Sequence, residues 1–210
     1  YVGTSLKKDE YLFDCSALSN LIVFKDDGTF KVIKVDDKVF VGENIIHVAI
    51  YDPNDTRTTY NVLYRDGNSG GVYAKRFFVK SIIRDKDYFY TRGTPNSKVL
   101  YFKANQNGEA EILTIHLVPR PRMKNLTIDF NFKDIPIKNR STVGYLVTRK
   151  LIRHISIKQE GIQTLKGISY YFDEETLRIN KEGKGTDLGE FLDDDYLIII
   201  YKNGYYRISK

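Results

Sequence analysis

Lysine and arginine crowd the middle of this chain, and their spacing marks where it could hold a large anion. Residues 61–158 carry nineteen Lys and Arg against seven Asp and Glu, while residues 1–60 and 159–210 each carry seven against ten. The net charge of +6 therefore conceals a block of +12 between two acidic flanks. Such a block sets up a field of one sign that attracts a polyanion and weakens with added salt. The cations fall at turns and strand ends. Lys75 and Arg76 follow the Gly70-Gly71 pair and lead the candidates, and Lys80, Arg84, Arg92 and Lys98 flank the next turns. Arg120, Arg122 and Lys124 occupy a loop bounded by Pro119 and Pro121, Lys138 and Arg140 follow, and Arg149, Lys150 and Arg153 close the series. A run of charge is often only a solvated face. Concentration in one block is what argues for a binding surface.

Other chemistry is poorly supplied. His47, His116 and His154 each stand alone in a strand-like run, with no spacing that suggests metal ligands, and Cys15 has no neighbouring Cys or His. Asp193-Asp194-Asp195 and Glu174-Glu175 could pair carboxylates for glycoside hydrolysis, but they read better as polar turns before strands. A GxxxxGK[ST] phosphate loop is absent, so ATP hydrolysis is not expected. Neither a catalytic residue, a metal nor a cofactor is expected in this domain. Tyr64, Tyr73, Phe77, Tyr88 and Tyr90 lie near the cations and could stack on bases, yet their strand periodicity points to a core.

These side chains must be positioned by strands. Sixteen Tyr and twelve Phe, with no Trp, favour pleated, half-buried surfaces. An apolar strand, a Gly-containing turn and a second strand recur at 21–35 (LIVFKDDGTFKVIKV), 61–79, 98–117 and 196–208, with turns at Asp27-Gly28, Asp66-Gly67, Asn107-Gly108 and Asn203-Gly204. Weaker copies lie at 142–157 and 168–179. The first three starts, Leu21, Val62 and Val99, are spaced by 41 and 37 residues, a propeller-blade period. The spacing predicts an all-β domain over 1–210, a disc of about five four-stranded blades. Two sandwich domains divided near Pro119–Pro121 are the rival. The longest apolar run, at 196–201, is strand-sized and not membrane-spanning. The single cysteine allows no intramolecular disulfide, which fits a cytoplasmic location, and a start at Tyr1 suggests a fragment of something longer.

The order of these segments resembles the C-terminal domain found in the A subunits of bacterial type IIA topoisomerases, of the topoisomerase IV kind and more distantly gyrase. The residues carrying the resemblance are SNLIVFKDDGTFKVIKV (19–35), VGENIIHVAIYD (41–52), YRDGNSGGVYAKRF (64–77), IIRDKDYFYTRGT (82–94), VLYFKANQNGEAEI (99–112), LRINKEGKGTDLGEF (177–191) and DDDYLIIIYKNGYYRI (193–208). The resemblance implies a β-pinwheel whose basic outer rim binds and bends double-stranded DNA, with nucleoid association, and the +12 block is expected to form one continuous cationic track around its perimeter. It implies as partners the rest of the A subunit, together with an ATPase B subunit, in an A2B2 enzyme. The cleavage tyrosine and ATPase would then lie outside this chain, and the isolated domain would be monomeric. The gyrase box Gln-Arg-Arg-Gly-Gly-Lys-Gly is missing; residues 70–76 and 182–185 are degenerate, which favours a topoisomerase IV-like role over supercoiling. A propeller-type protein-interaction platform and a carbohydrate-active propeller are the alternatives from other classes.

Overall fold

The computed structural model describes residues 1–7, 9–192 and 195–209. Residue contacts divide it into two compact units, Tyr1–Thr164 and Leu165–Lys210. Within the first unit the strands are β1 (Asn20–Lys25), β2 (Thr29–Lys34), β3 (Ile45–Tyr51), β4 (Thr59–Arg65), β5 (Val72–Phe78) and β6 (Tyr88–Phe89). They continue with β7 (Lys98–Asn105), β8 (Ala110–Leu117), β9 (Thr127–Asn131), β10 (Ile137–Asn139), β11 (Tyr145–Thr148) and β12 (Ile152–Ile162). A single 3-10 turn at Phe132–Asp134 is the one helical element among the described residues.

These strands form three sheets, in the orders β3-β1-β2-β6, β10-β5-β4-β7 with β11 also on β5, and β12-β8-β9. Every pairing among them is antiparallel except β10 on β5. None of the sheets closes on itself, and the fold is all-β, consistent with a β-pinwheel. Strand number varies from sheet to sheet, and the first has the four strands expected of a blade.

The sheets stack face to face, which explains why their strands read as unbroken apolar runs. On β4, alternation sends Tyr60, Val62 and Tyr64 to one face, where they pack with Ile22, Phe24, Phe30 and Val32 of the first sheet. Leu63 points the other way and joins Val72, Ala74, Leu113, Ile115 and Phe132 against the third sheet. The outer face of the first sheet buries Leu21, Val23 and Ile33 with Val41. The second sheet is thus covered on both sides.

The expected hairpins at Asp27-Gly28 and Asp66-Gly67 are present as β1–β2 and β4–β5. Gly28 has a φ of 86°, and the Asp27 carboxylate accepts from Thr29 N at 2.9 Å. The other repeats connect differently. Around Asn107-Gly108, β7 pairs with β4 of the second sheet while β8 belongs to the third. At 142–157, β11 pairs with β5 and β12 with β8. The chain therefore steps from sheet to sheet inside a repeat. Pro119 and Pro121 lie in the loop joining the paired strands β8 and β9, so no domain boundary falls there.

The second unit holds β13 (Ile168–Asp173), β14 (Arg178–Asn180) and β15 (Thr186–Phe191) in the order β14-β13-β15, and the hairpin of β16 (Leu197–Ile200) with β17 (Tyr206–Ser209). Its turn at Asn203-Gly204 is where the sequence places it.

Candidate nucleic-acid interface

Lys75 and Arg76, the leading pair in the sequence, do not face solvent: they are 2% and 3% exposed. Successive residues on a strand point to opposite faces, and both faces of β5 are covered, so both cations are internal. Lys75 Nζ donates to the backbone oxygens of Arg140 and Thr142, each at 2.6 Å, and lies 4.9 Å from the Phe77 ring centroid. Burial lowers its pKa to about 7. Arg76 reaches the third sheet. Its Nε donates to Asn61 Oδ1 (3.2 Å), Nη1 to Phe132 O (3.5 Å), and Nη2 to Gly108 O (2.6 Å) and Thr164 Oγ1 (2.9 Å). Glu111, fully buried, accepts from Asn61 Nδ2 at 3.0 Å and adds its charge nearby. Both cations hold the scaffold and neither can meet a phosphate.

The other cations sort by their surroundings. β10 and β11 form one edge of the second sheet, and β12 one edge of the third. The segment 137–158 that builds these edges carries six Lys and Arg and no Asp or Glu. Lys138, Arg149, Lys150 and Arg153 are exposed on it, and Arg140 is half-buried. Buried anchors fix its first turn: Lys75 holds Arg140 and Thr142, and the Tyr64 hydroxyl donates to Val143 O at 2.6 Å.

Its second turn meets another acid-free stretch, the β8–β9 loop over 118–126. Prolines at 119 and 121 lack N–H donors and end the ladder there. Leu117 N donates to Leu126 O at 2.8 Å, closing the loop, and Val118 N to Leu151 O at 2.9 Å, fastening it to the β11–β12 turn. The loop carrying Arg120, Arg122 and Lys124 is thereby fastened to the turn carrying Arg149 and Lys150, and these five and Arg153 are all exposed. None of the six is in an ion pair among the described residues.

A second group gathers at the other end of β5. Arg140 Cζ lies 4.8 Å from the Tyr88 ring centroid and Nη1 donates to Lys80 O at 2.6 Å, while Lys86 Nζ is 5.5 Å from the same ring. Carboxylates intrude here: Arg84 pairs with Asp85 (3.6 Å), and Asp87 with Lys31 (3.4 Å). Arg92 is held by Asp66 at 3.0 Å, and Lys98 lines a cleft of about 670 Å³ with Asp26 and Asp27. The cations thus form no uninterrupted track. Two groups stand at opposite ends of β5, about 20 Å apart at the rise of an extended strand, joined by the acid-free edge.

The aromatic residues near these cations belong mostly to the core: Tyr64, Phe77 and Tyr90 are fully buried, with Tyr73 and Tyr88 half-buried. His47 packs among Phe24, Tyr60 and Phe102, and burial lowers its pKa. His116 and His154 are not isolated. They face each other across β8 and β12 with ring centroids 3.9 Å apart, a meeting that no local spacing announces. Glu174 and Glu175 sit in the β13–β14 turn, where Asp173 Oδ1 accepts from Glu175 N at 3.0 Å. Asp193 and Asp194 lie outside the described residues, and Asp195 Oδ2 accepts from Leu192 N at 2.7 Å. No helix among the described residues is long and apolar enough to cross a membrane.

Two comparisons with known proteins bear on this arrangement. Residues 1–160 match the family model described as topoisomerase C-terminal domain, Bacteroidota. The A subunit of DNA topoisomerase 4 from Borreliella burgdorferi is 21% identical over 159 residues, which is 75% of this chain and 24% of that protein. The chain thus corresponds to about a quarter of the relative's length.

Proposed function

This chain belongs to the topoisomerase C-terminal domain family of the Bacteroidota, and from that premise we propose that it binds duplex DNA without sequence preference and bends it along its cationic edge. The observation that carries this reading is the acid-free edge segment 137–158 fastened beside the acid-free loop 118–126. Cations on exposed edges also discourage edge-to-edge sheet pairing. That bland role accounts for edge charges on β12 but not for three more on a separate loop. Lys and Arg neutralise phosphates, release condensed counterions and position DNA without reading its sequence. Contacts at both ends of β5 would offset the few kcal/mol that bending costs, about 1–6 for a short site.

In the full enzyme the domain would capture a DNA segment and bias which crossings are processed. ATP hydrolysis would lie in a B subunit, cleavage in the rest of the A subunit, and none of that chemistry in this chain. A topoisomerase IV-like role is favoured over gyrase-type wrapping because both stretches nearest to a gyrase box are degenerate. Lys75 and Arg76 of the first are buried, and residues 182–185 form the short turn between β14 and β15.

The test is fluorescence anisotropy with mixed-sequence duplexes between about 50 and 200 mM salt, where a multi-phosphate interface loses affinity steeply. Arg149→Glu with Lys150→Glu should weaken binding at least about tenfold and reduce the salt slope by about two, near 0.9 per lost phosphate contact. End-to-end energy transfer on a short duplex should report bending in the parent chain. Salt-insensitive binding, or an unchanged slope in the variant, would sink this assignment.

A further inference from the structure

The charge of the cationic corner is ordinarily counted without histidine, yet two imidazoles lie at its margin. His116 is the penultimate residue of β8, next to Leu117, whose N–H closes the 118–126 loop. His154 follows Arg153 on β12 and is the register partner of His116. The rings are parallel to within 13°, with centroids 3.9 Å apart. They sit on the side of the third sheet opposite the buried Ile115 and Leu117. His154 is exposed and His116 half-buried, so an anion can approach this face.

Several polar groups surround the pair. On β8 and β9, Thr114 Oγ1 donates to Asp129 Oδ1 at 2.8 Å, and Thr127 is the register partner of His116. On β12, Ser156 Oγ lies 3.4 Å from His116 Nε2, and Lys158 pairs with Asp129. Asp129 is the one carboxylate facing the pair from these strands. Lys158, then Thr114, hold its pKa down, so it stays ionised and already engaged. Beyond Leu117 and Ile152 come Arg120, Arg122, Lys124, Arg149 and Lys150, all positive.

Imidazole changes charge near physiological pH. A phosphate laid over the pair favours the protonated form of whatever it touches.

Resting on the DNA-binding reading above, we propose that His116 and His154 are phosphate contacts of the same interface, a stacked pair that takes up a proton when DNA binds. Affinity is then linked to pH through this pair, rising as pH falls because the complex holds more protons than the free components.

The test compares the 210-residue chain with the double variant His116→Gln/His154→Gln, by anisotropy with one duplex at fixed ionic strength from pH 8 to pH 6. The parent should bind about threefold to tenfold tighter at pH 6 than at pH 8, up to one decade per unit for a full proton. The variant should bind more weakly than the parent at pH 6 and show a flat profile. Calorimetry in two buffers of different ionisation enthalpy should report proton uptake by the parent and none by the variant. Parallel pH profiles, or an equal loss of affinity at both pH values, would overturn the proposal while leaving DNA binding intact. Failure of the parent to bind at any pH and low salt would overturn both.

Discussion

The buried Nζ of Lys75 donates a 2.6 Å hydrogen bond to the backbone oxygen of Arg140, so an internal lysine holds the turn after β10 in place. No carboxylate lies among the residues lining the small cavity around Lys75, and burial takes its pKa from 10.5 to about 7. Between those values the unfolded chain binds a proton that the folded chain does not, so stability must rise with pH across that window and level off below it.

Chemical denaturation should therefore show greater stability at pH 9.5 than at pH 7, by about 1–3 kcal/mol, each unit of depression being worth about 1.4. Lys75→Met should flatten the rise. The comparison stops below pH 10 because burial raises the pKa of Tyr60, Tyr64, Tyr90 and Tyr101. Above the unfolded phenol value the unfolded chain sheds protons that the folded chain keeps, so those residues make stability fall with pH and would mask the lysine. An equal rise in Lys75→Met would assign it to other groups.

Arg76 and Glu111 should behave as a unit. Arg76→Met leaves Glu111 as an uncompensated buried charge and removes the donors to Gly108 O and Phe132 O, a loss of about 3–5 kcal/mol. Arg76→Met combined with Glu111→Leu should cost less than the two single changes added together. Additive losses in urea unfolding would show that the two charges are independent.

Cations already engaged by acid should matter little for DNA. Replacing Arg92 with Gln should change duplex affinity by less than about twofold, since a cation held by Asp66 releases few counterions. The same replacement at Arg120, Arg122 and Lys124 should lower affinity and salt slope together. Equal effects per cation replaced, read side by side by anisotropy, would mean that net charge alone governs binding.

Gly28 tests the first hairpin. Its φ of 86° disfavours any L side chain, and an added Cβ would stand 2.4 Å from Thr91 Oγ1. Gly28→Ala should cost about 1–3 kcal/mol, visible as a lower melting temperature with DNA affinity unchanged once folded.

The turns and the strand class were legible because both are local. Asp27-Gly28 needs only its own φ values, and Ile22, Phe24, Phe30 and Val32 declare a buried face by alternation. Pairing was not legible. Nothing in 98–117 says that β7 and β8 part company into different sheets, because a ladder partner is chosen by the whole fold. The same gap hid the role of Lys75 and Arg76: a strand covered on both sides has no solvent face, and coverage depends on elements much further along the chain, at Gly108, Arg140 and Thr164. Where the edge comes from one chain segment, as with Lys138, Arg140, Arg149, Lys150 and Arg153, composition alone located the candidates.

β11 completes its ladder on β5, joining Tyr145 to Ala74, and β12 completes its ladder on β8, joining His154 to His116. Each pairing closes a long loop, and such closures come late when a chain organises itself. The edge over 137–158 has no ladder of its own to form beforehand. During synthesis or refolding, β5 and β8 must already be in place before the positive segment acquires its shape, so an immature chain has basic residues without the surface that would use them.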